Sequence, residues 1–216
     1  MSALARYYKQ SGAEVAGYDL TESDLCKELV SEGIHIHYRD DVSAIPAAYT
    51  RDAEKTLVIM TPAVPEEHSE LQYFLQKGFR VVKRARALGV VAEDKRVLAI
   101  SGTHGKTTTS TLLAHILTDS GMGCSAFLGG ISKNYNTNLL VSENALLVAE
   151  ADEFDRSFLQ LFPQIAVITS MDADHLDIYG SHEALTDSFC DFASQIKDGG
   201  MLILKQGLLL PEERLK

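Results

Sequence analysis

Residues 100–109 read Ile-Ser-Gly-Thr-His-Gly-Lys-Thr-Thr-Thr, and they restrict the fold more than any other stretch of the chain. The apolar run at 97–100 predicts a short buried strand leading into them. The residues that follow predict a helix, with Leu112, Leu113, Ile116 and Leu117 on one face. Strand, glycine-containing turn and helix in that order build a phosphate cradle. Glycines let the backbone approach the phosphates, free amides at the helix start point at them, and the helix dipole favours their charge. In such a cradle Lys106 neutralises the β and γ phosphates and the Thr107 hydroxyl ligates Mg²⁺. The spacing is shorter than G-x-x-x-x-G-K-[ST], because Ile100 stands where that pattern needs glycine.

The rest of the chain alternates in the same style. Helices are expected at 2–11, with Leu4, Tyr7 and Tyr8 at helical spacing, at 23–31 with Leu25, Leu29 and Val30 inward, at 69–77 with Leu71, Phe74 and Leu75 inward, and at 85–91. Between them lie short strands at 14–19, 34–37, 57–61 and 81–82. Strands alternating with helices mean a parallel α/β sheet. A doubly wound domain normally begins with a strand and a glycine-rich turn, whereas this chain begins inside the first helix. A Rossmann-like N-terminal domain lacking its first strand is therefore expected over 1–92, with its neighbouring strand short of a partner and Met1 internal to a longer protein. The charged connector at 93–96 leads into a second, P-loop-type α/β domain over 93–216, expected to be incomplete at its C-terminus. There strands are expected at 125–128, 146–149, 165–169 and 201–204 and a helix at 182–196, with a polar loop running from Gly129 to Asn138.

Composition excludes several classes. A net charge of −10 opposes nucleic-acid binding, which needs basic surface. No apolar run approaches the roughly 18 residues of a membrane span, and the N-terminal residues do not read as a secretory signal. Cys26, Cys124 and Cys190 are dispersed and odd in number, which predicts reduced thiols in a cytoplasmic setting and no zinc site.

Three expected parallel strands end in polar clusters: the glycine loop, the acidic run 150–155 (Glu-Ala-Asp-Glu-Phe-Asp) and the run 170–177 (Ser-Met-Asp-Ala-Asp-His-Leu-Asp). Ligands of open α/β sheets bind outside the carboxyl ends of the strands, so the fold can bring all three together. A phosphate loop beside a carboxylate and an imidazole makes a metal-assisted phosphoryl-transfer site. Thr107 and Glu150 are the natural Mg²⁺ ligands. His175 is a less usual partner for so hard an ion, acting through water, on a second metal, or simply capping the next helix. Glu150 and its neighbours read otherwise as a solvated acidic loop, His104 as a structural loop residue or a group beside the γ phosphate, and Arg84 and Arg86 as surface charges. His35 and His37 share a strand face but have no third ligand nearby in sequence.

The loop Gly102-Thr103-His104-Gly105-Lys106-Thr107-Thr108-Thr109 resembles the short ATP loop of the Mur ligases of bacterial cell-wall synthesis. Glu150 to Asp155 with Ser157-Phe158-Leu159 resembles their acidic motif, and Met171 to Tyr179 their aspartate-histidine motif. Met1-Ser2-Ala3-Leu4-Ala5 is similar to the end of their glycine-rich uridine-nucleotide motif. The histidine in the loop is typical of the branch that joins L-alanine to UDP-N-acetylmuramate.

The resemblance implies ATP and Mg²⁺ as cofactors and UDP-N-acetylmuramate and L-alanine as substrates. The muramate carboxylate attacks the γ phosphate, giving an acyl phosphate, and the alanine amine displaces phosphate. It assigns ATP contacts to Gly102, Thr103, His104, Gly105, Lys106, Thr107 and Thr108, and catalysis to Lys106, Glu150 and His175. The metal falls to Thr107, Glu150 and His175, and substrate contacts to Asp19, Thr61, His104 and Asn138. The family often has asparagine where Ser170 stands. Its third domain, which binds the amino acid, lies beyond this sequence, so the polypeptide alone is expected not to catalyse ligation. Two other readings share these motifs: a ligase that recycles whole peptides onto UDP-N-acetylmuramate, and a nucleotide-binding module without chemistry.

Overall fold

The computed structural model describes residues 1–174 and 179–214. The chain divides into two compact units, Met1–Ala87 and Leu88–Lys216.

The first unit contains α1 (Ser2–Gln10), β1 (Ala16–Tyr18), α2 (Asp24–Ser31), β2 (His35–His37), β3 (Leu57–Met60), α3 (Ser69–Gln76) and β4 (Arg80–Lys83). A further helix, α4 (Arg84–Ala92), runs across the division. Parallel pairing joins β1 to β2 and β3 to β4, and among the described residues no ladder joins one pair to the other. The Asp19 amide donates to the His37 carbonyl, so Gly17 shares that side and Ala16 and Tyr18 turn their amides to the opposite edge. An open groove is lined by β1 and β3 and flanked by Tyr49, His68, Leu71 and Phe74. Residues of β1 and β3 are correspondingly half-buried or exposed, where a two-sided parallel sheet would cover them fully.

Helix ends in this unit are tied down by named groups. The Ser23 hydroxyl accepts from the Cys26 amide at 3.2 Å and starts α2. Asp40, far from α3 in sequence, accepts from the Ser69 and Glu70 amides at 2.9 and 3.2 Å and so caps that helix. These bonds and the Ser69 hydroxyl hold the Asp40 carboxyl below its usual range. Buried Arg6 of α1 grips Glu32, just past the end of α2, and Glu28 within it, at 2.6 and 3.2 Å. Val30 and Leu75, expected inward, are about half exposed, since each helix turns a narrower stripe to its neighbours.

In the second unit β5 (Arg96–Ser101), α5 (Lys106–Asp119), β6 (Ser125–Ser132), β7 (Thr137–Leu140), β8 (Leu146–Glu150), β9 (Ile165–Ile168), α6 (His182–Ser194) and β10 (Met201–Leu204) follow in order. Among the described residues one six-stranded sheet forms with order β10-β9-β5-β8-β6-β7, parallel except for the β6–β7 pair. Ile100, Ala114, Cys124, Ala126, Leu128 and Val148 make one core cluster, against which Leu113 and Leu117 pack. Burial raises the Cys124 thiol above its usual range. On α5 the inward face is Ser110, Leu113, Ala114 and Leu117, while Leu112 and Ile116 are more than half exposed. Small Ala114 lets the helix lie close to the sheet, and this overrides the apolar count. A second cluster stacks Phe158 on Phe192 at 4.9 Å with Phe189 edge-on.

The expected polar loop over 129–138 is instead an antiparallel hairpin. Strand β6 runs through Gly129 and Gly130 to Ser132, and β7 returns from Thr137, with Ser132 opposite Thr137. Asn136 makes the turn in the left-handed region at φ 54°.

Candidate functional site

In the sheet order β5 lies between β8 and β9, which puts the glycine loop between the two polar strand ends. Ile100 is level with Glu150 on β8, and Ser101 with Ile168 on β9. Of the three clusters read from the sequence, the fold brings together the loop, Glu150 and residues 170–174. His175 lies outside the described residues.

The loop is clamped on its β9 side. The Thr103 amide donates to the Ser170 carbonyl at 3.1 Å, and the hydroxyls of Thr103 and Ser170 lie 2.9 Å apart. Ser170 Oγ also accepts from the His104 amide at 2.6 Å, and the single Thr169 hydroxyl hydrogen is shared between the Ser101 carbonyl, 2.9 Å away, and the His104 carbonyl. Glycine is required at Gly102, whose φ is 127° and whose Cβ would fall inside contact distance of the Ser170 backbone. The His104 side chain is exposed, with Nε2 3.8 Å from Asp172.

Opposite this clamp the cradle carries its charged groups. Lys106 opens α5 and folds back over the loop, Nζ donating to the Gly102 carbonyl at 2.8 Å and to both oxygens of Glu153 at 2.9 and 2.8 Å. Glu153 is fully buried. Its backbone carbonyl accepts from the Arg156 amide at 2.9 Å and the Tyr179 hydroxyl at 2.5 Å. Burial is the main cause that raises the Tyr179 hydroxyl above its usual range. Asp155 and Arg156 hold the turn in left-handed backbone, at φ 51° and 53°.

At the next residue, Thr107 Oγ1 donates to Glu150 Oε1 at 3.1 Å, and the other Glu150 oxygen accepts from the Gly129 amide at 2.9 Å. A Cβ at position 129 would run into that carboxylate, so glycine is what lets β6 pass so close. A hydroxyl and a carboxylate oxygen side by side, one oriented by a backbone amide, suit a hard divalent cation. Thr108 is exposed on the outer side of the α5 start, and Asn138 is buried on β7. Asp19 and Thr61 belong to the first unit, at the ends of β1 and β3. Asp19 is exposed and accepts from the Thr21 amide, and the Thr61 carbonyl accepts from the Val64 amide.

Sequence reasoning missed Glu153, the Gly129 amide and the Thr169–Ser170 clamp. Glu153 lay in plain view in the acidic run, but its four carboxylates look alike until burial separates them. Gly129 was read as a loop start.

A parallel sheet whose central strand runs through a glycine loop into a helix opened by Lys106, with a hydroxyl–carboxylate pair beside it, is the architecture of a phosphate-loop α/β domain. Comparison with known proteins narrows this. Residues 1–96 match the Mur ligase family, catalytic domain, and residues 100–207 match the Mur ligase middle domain. The chain belongs to the Mur ligase family.

Among its relatives, the UDP-N-acetylmuramate–L-alanine ligase of Porphyromonas gingivalis is 55% identical over 208 residues, which is 96% of this chain and 45% of that protein. The enzyme of the same name from Flavobacterium psychrophilum is 54% identical over 97% of this chain and 46% of its own length. The chain thus spans a little under half the length of these relatives. Of solved structures, the Thermotoga maritima UDP-N-acetylmuramate–alanine ligase superposes with TM-score 0.81 at 25% identity, over 99% of this chain and 48% of that one. The UDP-N-acetylmuramate:L-alanyl-γ-D-glutamyl-meso-diaminopimelate ligase of Neisseria meningitides shares the fold, with TM-score 0.88 at 23% identity over 99% of this chain and 70% of that one. No helix among the described residues is long and apolar enough to cross a membrane.

Proposed function

We propose that this chain carries the nucleotide-handling part of a cytoplasmic ligase that joins L-alanine to UDP-N-acetylmuramate at the expense of ATP. The observation that carries the reading is the meeting of Lys106, Thr107 and Glu150 in one cradle at the centre of the sheet. Identity above 50% to relatives named for the L-alanine reaction favours that branch over peptide recycling. The three free, buried cysteines accord with a reducing compartment.

In this reading the backbone amides of the loop and the α5 start hold the phosphates. The Lys106 ammonium meets the β and γ oxygens and gathers charge as the γ phosphoryl passes to the muramate carboxylate, forming the acyl phosphate. Thr107 Oγ1 and Glu150 Oε1 would hold Mg²⁺, with the Gly129 amide fixing the orientation of the carboxylate. Held there, Mg²⁺ would supply positive charge to offset that of the phosphates. His175 remains the proposed third ligand. Proposed substrate contacts are His104, exposed beside the cradle, Asn138 on β7, and Asp19 and Thr61 at the strand ends of the first unit. The proposed domain boundary is the charged connector at 93–96.

Calorimetric titration with Mg²⁺-ATP tests this reading. The unaltered chain should bind, and Lys106→Ala should weaken binding at least about tenfold, since charge-assisted hydrogen bonds contribute about 1.5–3 kcal/mol each. A folded chain that binds no ATP, or a Lys106→Ala variant that binds as well as the parent, overturns the cradle.

A further inference from the structure

We infer that Ser170 is a positioning residue of the phosphate cradle: it takes up the amides of Thr103 and His104, and phosphate is met by the amides of Gly105, Lys106, Thr107 and Thr108. This rests on the proposed role of the loop as a phosphate cradle.

Ser170 lies two residues past β9 and is buried. Its carbonyl accepts from the Thr103 amide at 3.1 Å, and its hydroxyl oxygen accepts from the His104 amide at 2.6 Å. The hydroxyls around these bonds form a chain whose hydrogens can all run one way. The Asp172 amide donates to Thr103 Oγ1 at 3.1 Å, the Thr103 hydroxyl to Ser170 Oγ at 2.9 Å, and the Ser170 hydroxyl to the His104 carbonyl at 3.2 Å. Gly102 makes room for this approach, since a Cβ there would fall 2.7 Å from the Ser170 nitrogen and 2.9 Å from its carbonyl oxygen.

Each amide has a single hydrogen to give. To reach a phosphate, Thr103 or His104 would have to give up a bond to buried Ser170, where water is poorly placed to replace it. The next four amides are placed differently. Helix α5 makes its first bond from the Thr109 amide to the Gly105 carbonyl at 3.0 Å, so the amides of Gly105, Lys106, Thr107 and Thr108 have no acceptor within the helix. The first half of the loop is thus a fixed wall, and the second half is the surface that meets the ligand. Because the strand end sets the wall beforehand, nucleotide binding does not have to order it.

Amide hydrogen exchange followed by NMR, with and without ADP, tests this in the unaltered chain. In the free chain the Thr103 and His104 amides should exchange at least about a hundredfold more slowly than those of Gly105 and Thr107. ADP should then add protection at residues 105–108 and leave 103 and 104 as they were. A His104 amide that exchanges as fast as that of Gly105, or that gains protection only when ADP binds, overturns the inference.

Ser170→Ala removes the hydroxyl and keeps the carbonyl, so the His104 amide should become fast while the Thr103 amide stays protected. Its affinity for ADP and ATP should fall about tenfold. Loss of protection at both amides, the mark of general loosening, overturns the inference, as does a folded variant that binds like the parent. Lys106→Ala run alongside tells the two failures apart. If the parent binds no ADP, or Lys106→Ala binds it equally well, the cradle falls and this inference with it. If Lys106→Ala loses ADP while Ser170→Ala does not, the role of Ser170 alone falls.

Discussion

Gly129→Ala separates metal binding from stability in a way the geometry makes quantitative. Gly129 lies in β6 outside the positive-φ region, so alanine is compatible with its backbone. The new methyl would overlap both oxygens of Glu150, the mobile end of a half-exposed side chain, which can swing aside. Swinging breaks the 2.9 Å bond from the Gly129 amide and the 3.1 Å bond from Thr107. Bonds to a charged group contribute about 1.5–3 kcal/mol, but water can reach both partners and replace much of that. Alanine regains about 0.5–1 kcal/mol over glycine within a strand.

The two effects nearly offset, so stability should change by no more than about 1 kcal/mol, or roughly 2–4 °C in Tm. The metal site fares differently, because one of its two visible oxygen donors leaves Thr107. Loss of about 1.4 kcal/mol of coordination is already tenfold. Calorimetry with ATP, with and without Mg²⁺, should therefore show the Mg²⁺-dependent gain in affinity reduced more than tenfold and metal-free binding little altered. A folded Gly129→Ala chain with the full Mg²⁺ effect would refute the placement of the metal between Thr107 and Glu150.

Phe158 has no solvent exposure and stacks on Phe192, so Phe158→Ala should cost about 3–5 kcal/mol in urea unfolding, whereas a cost below 1 kcal/mol would contradict the packing. Asp40 has a depressed carboxyl, chiefly through the Ser69 hydroxyl and amide, so its contribution is present above the unfolded pKa and is lost as pH falls through the folded one. Asp40→Asn should thus lower the unfolding midpoint at pH 7, with the difference from the parent shrinking toward pH 3. A gap independent of pH would show that the carboxylate does not act as the cap of α3.

Much of this was legible in the sequence because several signals agreed at one place. A continuous apolar run, glycines and a following helix fixed β5, the loop and α5, and strand ends at Glu150 and Ser170 located the site at the carboxyl edge of the sheet. What failed was local evidence overridden by packing. Gly129 and Gly130 punctuate most chains, yet here they sit inside β6, Gly129 because a carboxylate passes over it. Apolar Leu112 and Ile116 suggested an inward face that Ser110 and Ala114 take by being small. The division of β1–β2 from β3–β4 could not be read from strand patterns, since pairing partners leave no mark in either segment alone. Glu153 was hidden by its neighbours in the run, and its burial beside Lys106 is what sets it apart.

The position of β5 in the sheet also bears on how the protein is made. It pairs residue 96 with 146 and residue 98 with 165, and gains neither neighbour locally. At ribosomal speeds of roughly 5–20 residues per second, an apolar strand that has just emerged waits on the order of several seconds for its first partner and longer for the second. In the first unit each pair closes across a single helix, β1 with β2 and β3 with β4, and the wait is less than half as long. The strand that carries the cradle is thus the one most exposed to aggregation and most dependent on chaperones during synthesis, and slowing translation between residues 101 and 146 should lower the soluble yield.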